Sequence, residues 1–119
     1  MHNACGKSLA DIAATAHKDL RAEGLGQATV GAARNSKGLT LSVYHASEEG
    51  TIKSVDVLRG KGYNVLDAPK GRGVEFHAER QLYGAGFNDI GISRQLGMCR
   101  ACEDFFAGKP DVRVTPYRR

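Results

Sequence analysis

Cys99-Arg-Ala-Cys102 follows His77 by 22 positions, and Glu79 stands two residues after that histidine. If the two thiols and the imidazole share one ion, the segments carrying them must meet in space. That requirement constrains the fold more than any other feature of the chain. Imidazole nitrogen and thiolate sulfur suit a tetrahedral centre, and zinc is the ion ordinarily found with such a set. A C-x-x-C at a helix start can bring both sulfurs to one metal, and the positive helix end favours their thiolate form. His77, Cys99 and Cys102 are therefore candidate ligands. Three protein donors leave the fourth position to water. Structural zinc sites close it with another Cys or His, yet the sequence holds no second C-x-x-C and no C-x-x-H. Water on such an ion falls in pKa to roughly 7. Glu79 is then the candidate general acid and base.

C-x-x-C alone also occurs in structural and redox sites, and H-x-E alone arises by chance. The ordered pair is specific when each half opens a helix and a strand lies between. The pattern predicts that arrangement. Ser8 to Glu23 reads as a helix, with Leu9, Ile12, Ala13, Ala16 and Leu20 on one face. Residues 28–34 and 39–45 read as strands around the turn Asn35-Ser-Lys-Gly38. Ile52, Val55 and Leu58 suggest a short helix within 48–75, although the β-branched run TIKSVDVL also suits a strand. Phe76 to Gly86 and Cys99 to Ala107 read as the two motif-bearing helices, with strands at 90–93 and 112–117. This order predicts a three-layer α/β fold, with a central mixed sheet flanked by helices and zinc at the N-termini of two of them.

The 119 residues, 41% hydrophobic and 25% charged, fit one globular domain over 1–119 and exclude a largely disordered chain. No apolar run is long enough to span a membrane. The polar N-terminus with Asp11 does not read as a secretory signal, so a soluble chain is expected. The third cysteine, Cys5, is far from the pair. An odd, small count argues for a reduced protein rather than a disulfide framework. A net charge of +4 favours anionic partners, though no block of five or more basic residues occurs.

The H-x-E followed by C-x-x-C matches the signature of zinc nucleobase deaminases. The sequence resembles the cytidine deaminase-like superfamily over most of its length. VGAARNSKGLTLSVYH looks like the first hairpin of that fold, FHAERQL like its first metal helix and GMCRACEDFF like its second. The resemblance implies that His77, Cys99 and Cys102 bind zinc and that Glu79 moves protons during hydrolytic deamination. Within the superfamily the chain is similar to the compact deaminase domains that end bacterial polymorphic toxins. That similarity implies delivery into a rival cell, action on cytosine in nucleic acid (DNA before RNA, single strands before duplex), and a cognate immunity protein as partner. Met98 stands where the family usually has Pro, which bears on how the loop meets the base.

Several other residues are candidates for substrate contact. Related deaminases often use an Asn at the position of Asn35. Tyr44 and Phe76 could stack on a base, and His45, Ala78 and Met98 could line the pocket. Arg72, with Lys70, Arg94 and Arg100, could meet phosphates. Two rival functions fit the same motifs: deamination of a free nucleoside or other small molecule, and a non-catalytic zinc-stabilised binding module.

Overall fold

A computed structural model describes residues 8–70, 73–95 and 97–117. Ser8 caps the first helix by accepting the Asp11 amide N–H at 3.1 Å, and α1 (Leu9–Ala22) follows. β1 (Thr29–Asn35) and β2 (Gly38–Tyr44) form a hairpin, in which Asn35 Oδ1 accepts the Lys37 amide. α2 (Glu48–Gly60) comes next, then a 3-10 turn at Val74–Phe76 and α3 (Ala78–Gly84). β3 (Asp89–Ile92), α4 (Arg100–Ala107) and β4 (Arg113–Pro116) complete the described chain.

The four strands form one mixed sheet in the order β2-β1-β3-β4. β1 runs antiparallel to both neighbours, whereas β3 and β4 are parallel. Parallel neighbours need a crossover, and α4 supplies it. Alternation along the strands sends Val30, Ala32, Leu41 and Val43 to one face. There they pack with Ile12, Ala13, Ala16 and Leu20 of α1 and Val55 and Leu58 of α2. Ala33, Ile90 and Ile92 face the other way and pack with Leu82 of α3, with Met98 and Val114 beside them. The protein is therefore an α/β structure with helices on both sheet faces.

Two glycines set how closely the helices approach. Gly91 pairs with Ala32 on the α1 side, where a Cβ would fall inside the backbone of Leu9 and Ala10. Gly31 pairs with Ile92 on the α3 side, where a Cβ would lie 2.7 Å from Ser42 Oγ and 2.9 Å from Leu82 Cδ1.

Residues 48–60 are helical, not extended. Ser47 caps them by accepting the Gly50 amide, Glu48 and Glu49 stand in the first turn, and Arg59 stands in the last. The buried face is Thr51, Ser54, Val55 and Leu58, whereas Ile52 is 48% exposed. Ser54 satisfies its buried hydroxyl on the Gly50 carbonyl, so small polar residues occupy positions that the expected pattern gave to Ile52. The expected helix from Phe76 also starts later. Phe76 belongs to the 3-10 turn, and His77 is extended, with φ −57° and ψ 151°.

Candidate metal centre and its cavity

His77 is the N-cap residue of α3 and Cys99 that of α4; Cys102 sits in the first turn of α4. An N-cap side chain ordinarily accepts a backbone N–H from its own helix. Neither His77 nor Cys99 does so, which leaves ring and thiol free to bind elsewhere. His77 Nδ1 lies 3.5 Å from Cys99 Sγ and 3.4 Å from Cys102 Sγ. The three donor atoms lie within 4.8 Å of one another, and both thiols are free.

These distances can be set against a tetrahedral centre. Bonds of about 2.0–2.1 Å to nitrogen and about 2.3 Å to sulfur, at the tetrahedral angle, separate N from S by about 3.5–3.6 Å. The observed 3.4 and 3.5 Å match that spacing. His77, Cys99 and Cys102 are therefore close enough to hold a metal ion. Burial pushes the Cys102 thiol up from 9.0 to about 12, and the nearby Glu79 carboxylate and Cys99 add to the rise. A metal must displace that proton to bind. Arg80 opposes the rise.

The two helices are fixed by different means. Ser42, fully buried on β2, donates its hydroxyl to the Ala78 carbonyl at 2.7 Å. Gln81 Nε2 donates to the carbonyls of Val43 at 2.7 Å and Phe76 at 2.8 Å, which ties α3 to the sheet and to the preceding turn. α4 is held to α3 by aromatic side chains. Tyr83, Phe105 and Phe106 meet edge to face at 5.0–5.7 Å. The Phe105 ring also has the Arg80 guanidinium 3.5 Å from its centroid and Lys109 Nζ 3.8 Å from it.

Beside His77 opens a cavity of about 200 Å³, lined by Gln27, Thr29, Tyr44, Ala46, His77, Ala78, Glu79, Ile92 and Arg94. That is smaller than the ~300–1,000 Å³ of pockets for drug-sized ligands, and it suits one small ring. Glu79 reaches into it while only 4% exposed. The Tyr44 ring tilts against His77, centroids 4.8 Å apart, and forms an aromatic wall.

Of the residues expected to contact substrate, Tyr44 and Ala78 line this cavity. Phe76 does not; its carbonyl receives Gln81 in the 3-10 turn. Met98 packs against the Leu82, Ile90 and Ile92 cluster instead. His45 points away, because strand alternation puts it on the α2 side, where its Nδ1 accepts the Ser47 amide at 3.0 Å. Asn35 lies at the other end of β1, six residues and about 20 Å from Thr29. It borders a separate cavity with Ser8, Arg34, Asp89 and Arg113. Arg72 and Cys5 fall outside the described residues. Among residues suggested for phosphate contact, Arg94 lines the cavity, whereas Lys70 and Arg100 are exposed elsewhere. Gln27, Thr29, Ala46 and Ile92 complete the wall and were not foreseen from the sequence. Only the strand order shows that the start of β1 faces α3.

No family model matches the chain, and neither the curated proteins nor the solved structures yield a match. Among the described residues, no helix is long and apolar enough to cross a membrane.

Proposed function

We propose that this chain is a zinc-dependent hydrolytic deaminase of the cytidine deaminase-like kind, converting cytosine to uracil in nucleic acid, with single-stranded DNA as first substrate. One observation carries the reading: His77, with Cys99 and Cys102 close enough to share a metal ion with it, lines a small cavity together with the buried Glu79 carboxylate. Zinc is the metal this donor set favours. When bound by three protein ligands it supplies Lewis acidity and water ionisable near neutral pH.

The chain's own residues account for the remaining steps. A cytosine ring in the cavity meets Tyr44 on one wall and Glu79 beside the metal donors. Water adds to C4 while Glu79 accepts its proton and passes it to N3. Glu79 then carries the remaining hydroxyl proton to the amino group. The C4–N bond breaks, ammonia leaves and uracil remains, so one water is consumed for each ammonia released. The narrower reading, a toxin domain acting inside a target cell and neutralised by an immunity protein, is supported by the sequence resemblance alone.

The small cavity equally favours a second reading, deamination of a free nucleoside. Incubation of the zinc-loaded chain with single-stranded DNA, duplex DNA, RNA and cytidine separates the two. Sequencing is expected to find C-to-T changes in single-stranded DNA. Consumption of cytidine with every polymer unchanged would favour the nucleoside reading instead. No turnover of any of them, with the metal bound, would leave the zinc-stabilised binding module.

A further inference from the structure

A groove of about 560 Å³ shares Arg94 with the metal cavity and runs from there along α1. His17, Lys18, Arg21, Gln95 and Tyr117 border it, and no carboxylate of the described residues does. The acidic residues of α1 and its end lie elsewhere. Asp11 is in the first turn, Asp19 acts on Tyr63, and Glu23 borders a different cavity with Lys53 and Asp56. Lys18, Arg21 and Arg94 are exposed, and none forms an ion pair among the described residues. His17 is already engaged, since its Nε2–H donates to the Gly26 carbonyl at 2.6 Å and holds the loop after α1. Three cations with no counter-charge among the described residues thus line the groove together with Tyr117, and one of them, Arg94, also lines the cavity sized for one ring.

We propose that this groove carries the sugar-phosphate backbone of single-stranded DNA whose target base enters the metal cavity. Arg94 spans the junction between base and backbone, Lys18 and Arg21 pair with successive phosphates, and Tyr117 offers a face for a neighbouring base. The inference rests on the deaminase reading for the base, but the groove is testable by binding alone. Each phosphate contact on a single strand contributes about −0.7 to the slope of log K against log salt. Three contacts give about −2. Losing one weakens binding about five-fold at roughly 0.1 M salt relative to 1 M, since 0.7 of a tenfold step is a factor of about five.

The assay is fluorescence anisotropy of a labelled oligo-dC with the zinc-loaded chain, titrated over salt. Lys18→Ala and Arg21→Ala should each flatten the slope by about 0.7, and together weaken binding about 25-fold at roughly 0.1 M salt. Lys37→Ala, which removes the same charge from the hairpin turn at the far end of the sheet, should change neither. An equal loss in Lys37→Ala, or displacement of the DNA by polyglutamate as readily as by unlabelled oligo-dC, would overturn the groove in favour of a general cation effect. Failure of the groove and failure of the deaminase reading look different. DNA binding that depends on Lys18 and Arg21 without deamination of any strand keeps the groove and removes the enzyme. C-to-U conversion in DNA with an unchanged KM in the double variant does the reverse.

Discussion

Gly31→Ala is expected to damage the metal centre from beneath, although Gly31 touches no ligand. A Cβ there would lie 2.7 Å from Ser42 Oγ, 2.9 Å from Leu82 Cδ1 and 3.3 Å from Ala78 Cβ. Ser42 and Leu82 are fully buried, and the Ser42 hydroxyl is engaged with the Ala78 carbonyl. Restoring an ordinary contact at Leu82, from 2.9 to 3.4 Å, moves the first turns of α3 by about half an ångström. Metal–ligand distances tolerate only about 0.2 Å, and His77 leads directly into α3 while the cysteines belong to α4. Overpacking of this kind costs about 1–3 kcal/mol, offset by about 0.5–1 kcal/mol from the reduced chain entropy of alanine. A net loss of about 1–2 kcal/mol lowers Tm by roughly 4–8 °C in a domain of this size. Metal affinity, read by competition with a chelator, should fall about 10- to 100-fold, as when ligand orientation is disturbed. Gly84→Ala is the matched control. Nothing lies within 4 Å of its Cβ position at the end of α3, so it should raise Tm slightly and leave the metal alone. An unchanged or raised Tm in Gly31→Ala, with metal affinity intact, would refute the idea that close approach of α3 to β1 sets the ligand geometry.

Glu79→Gln should retain metal and Tm while deamination falls by about 10²- to 10⁴-fold, measured as ammonia release; retained turnover would remove Glu79 from proton transfer. The metal-free protein should lose stability as pH rises, because the native state keeps the Cys102 proton that the unfolded chain gives up. The effect is absent below the ordinary thiol value of 9.0 and grows toward about 12. Melting curves with and without zinc from about pH 7 to about pH 11 check this, and the loaded protein, whose thiols are already ionised, should not share the decline. Cys5→Ser should leave one metal per chain, whereas Cys102→Ser should lower zinc affinity steeply; metal analysis after dialysis reads both. Chelation should raise hydrogen exchange in residues 100–107 before that of α1, since α4 is tied by aromatic side chains and ligands while α1 is packed on the sheet. Uniform deprotection would sink that ordering.

The cluster of His77, Cys99 and Cys102 was legible because ligand chemistry admits few residue types and helix starts are marked by sequence. Strand and helix positions followed from the same periodicities, with ends displaced by a residue or two. What escaped depends on relations between elements. Asn35 lies in the correct strand but at the end away from the site, a fact held in the strand order rather than in β1 itself. His45 continues the alternation read from LTLSVYH, and that alternation turns it toward α2 once the α1 and α2 side of the sheet is known. Gln27 and Thr29 carry no motif; they reach the cavity because β1 starts beside α3.

The sheet divides the labour between its two faces. The α1 and α2 side is built from Leu, Val, Ile and Ala and holds most of the apolar core. The α3 side of the hairpin carries Gly31, Ala33 and Ser42, residues too small to make a core of their own. Small residues there let α3 lie close, and the Ser42 hydroxyl fixes its start through the Ala78 carbonyl. Close seating brings the N-cap His77 level with the N-cap Cys99, and the Tyr83, Phe105 and Phe106 cluster holds the second helix at that level. Neither helix places three donors alone. The site arises where two helix starts, each with its side chain relieved of capping, are held at metal-bond distance by packing several residues away.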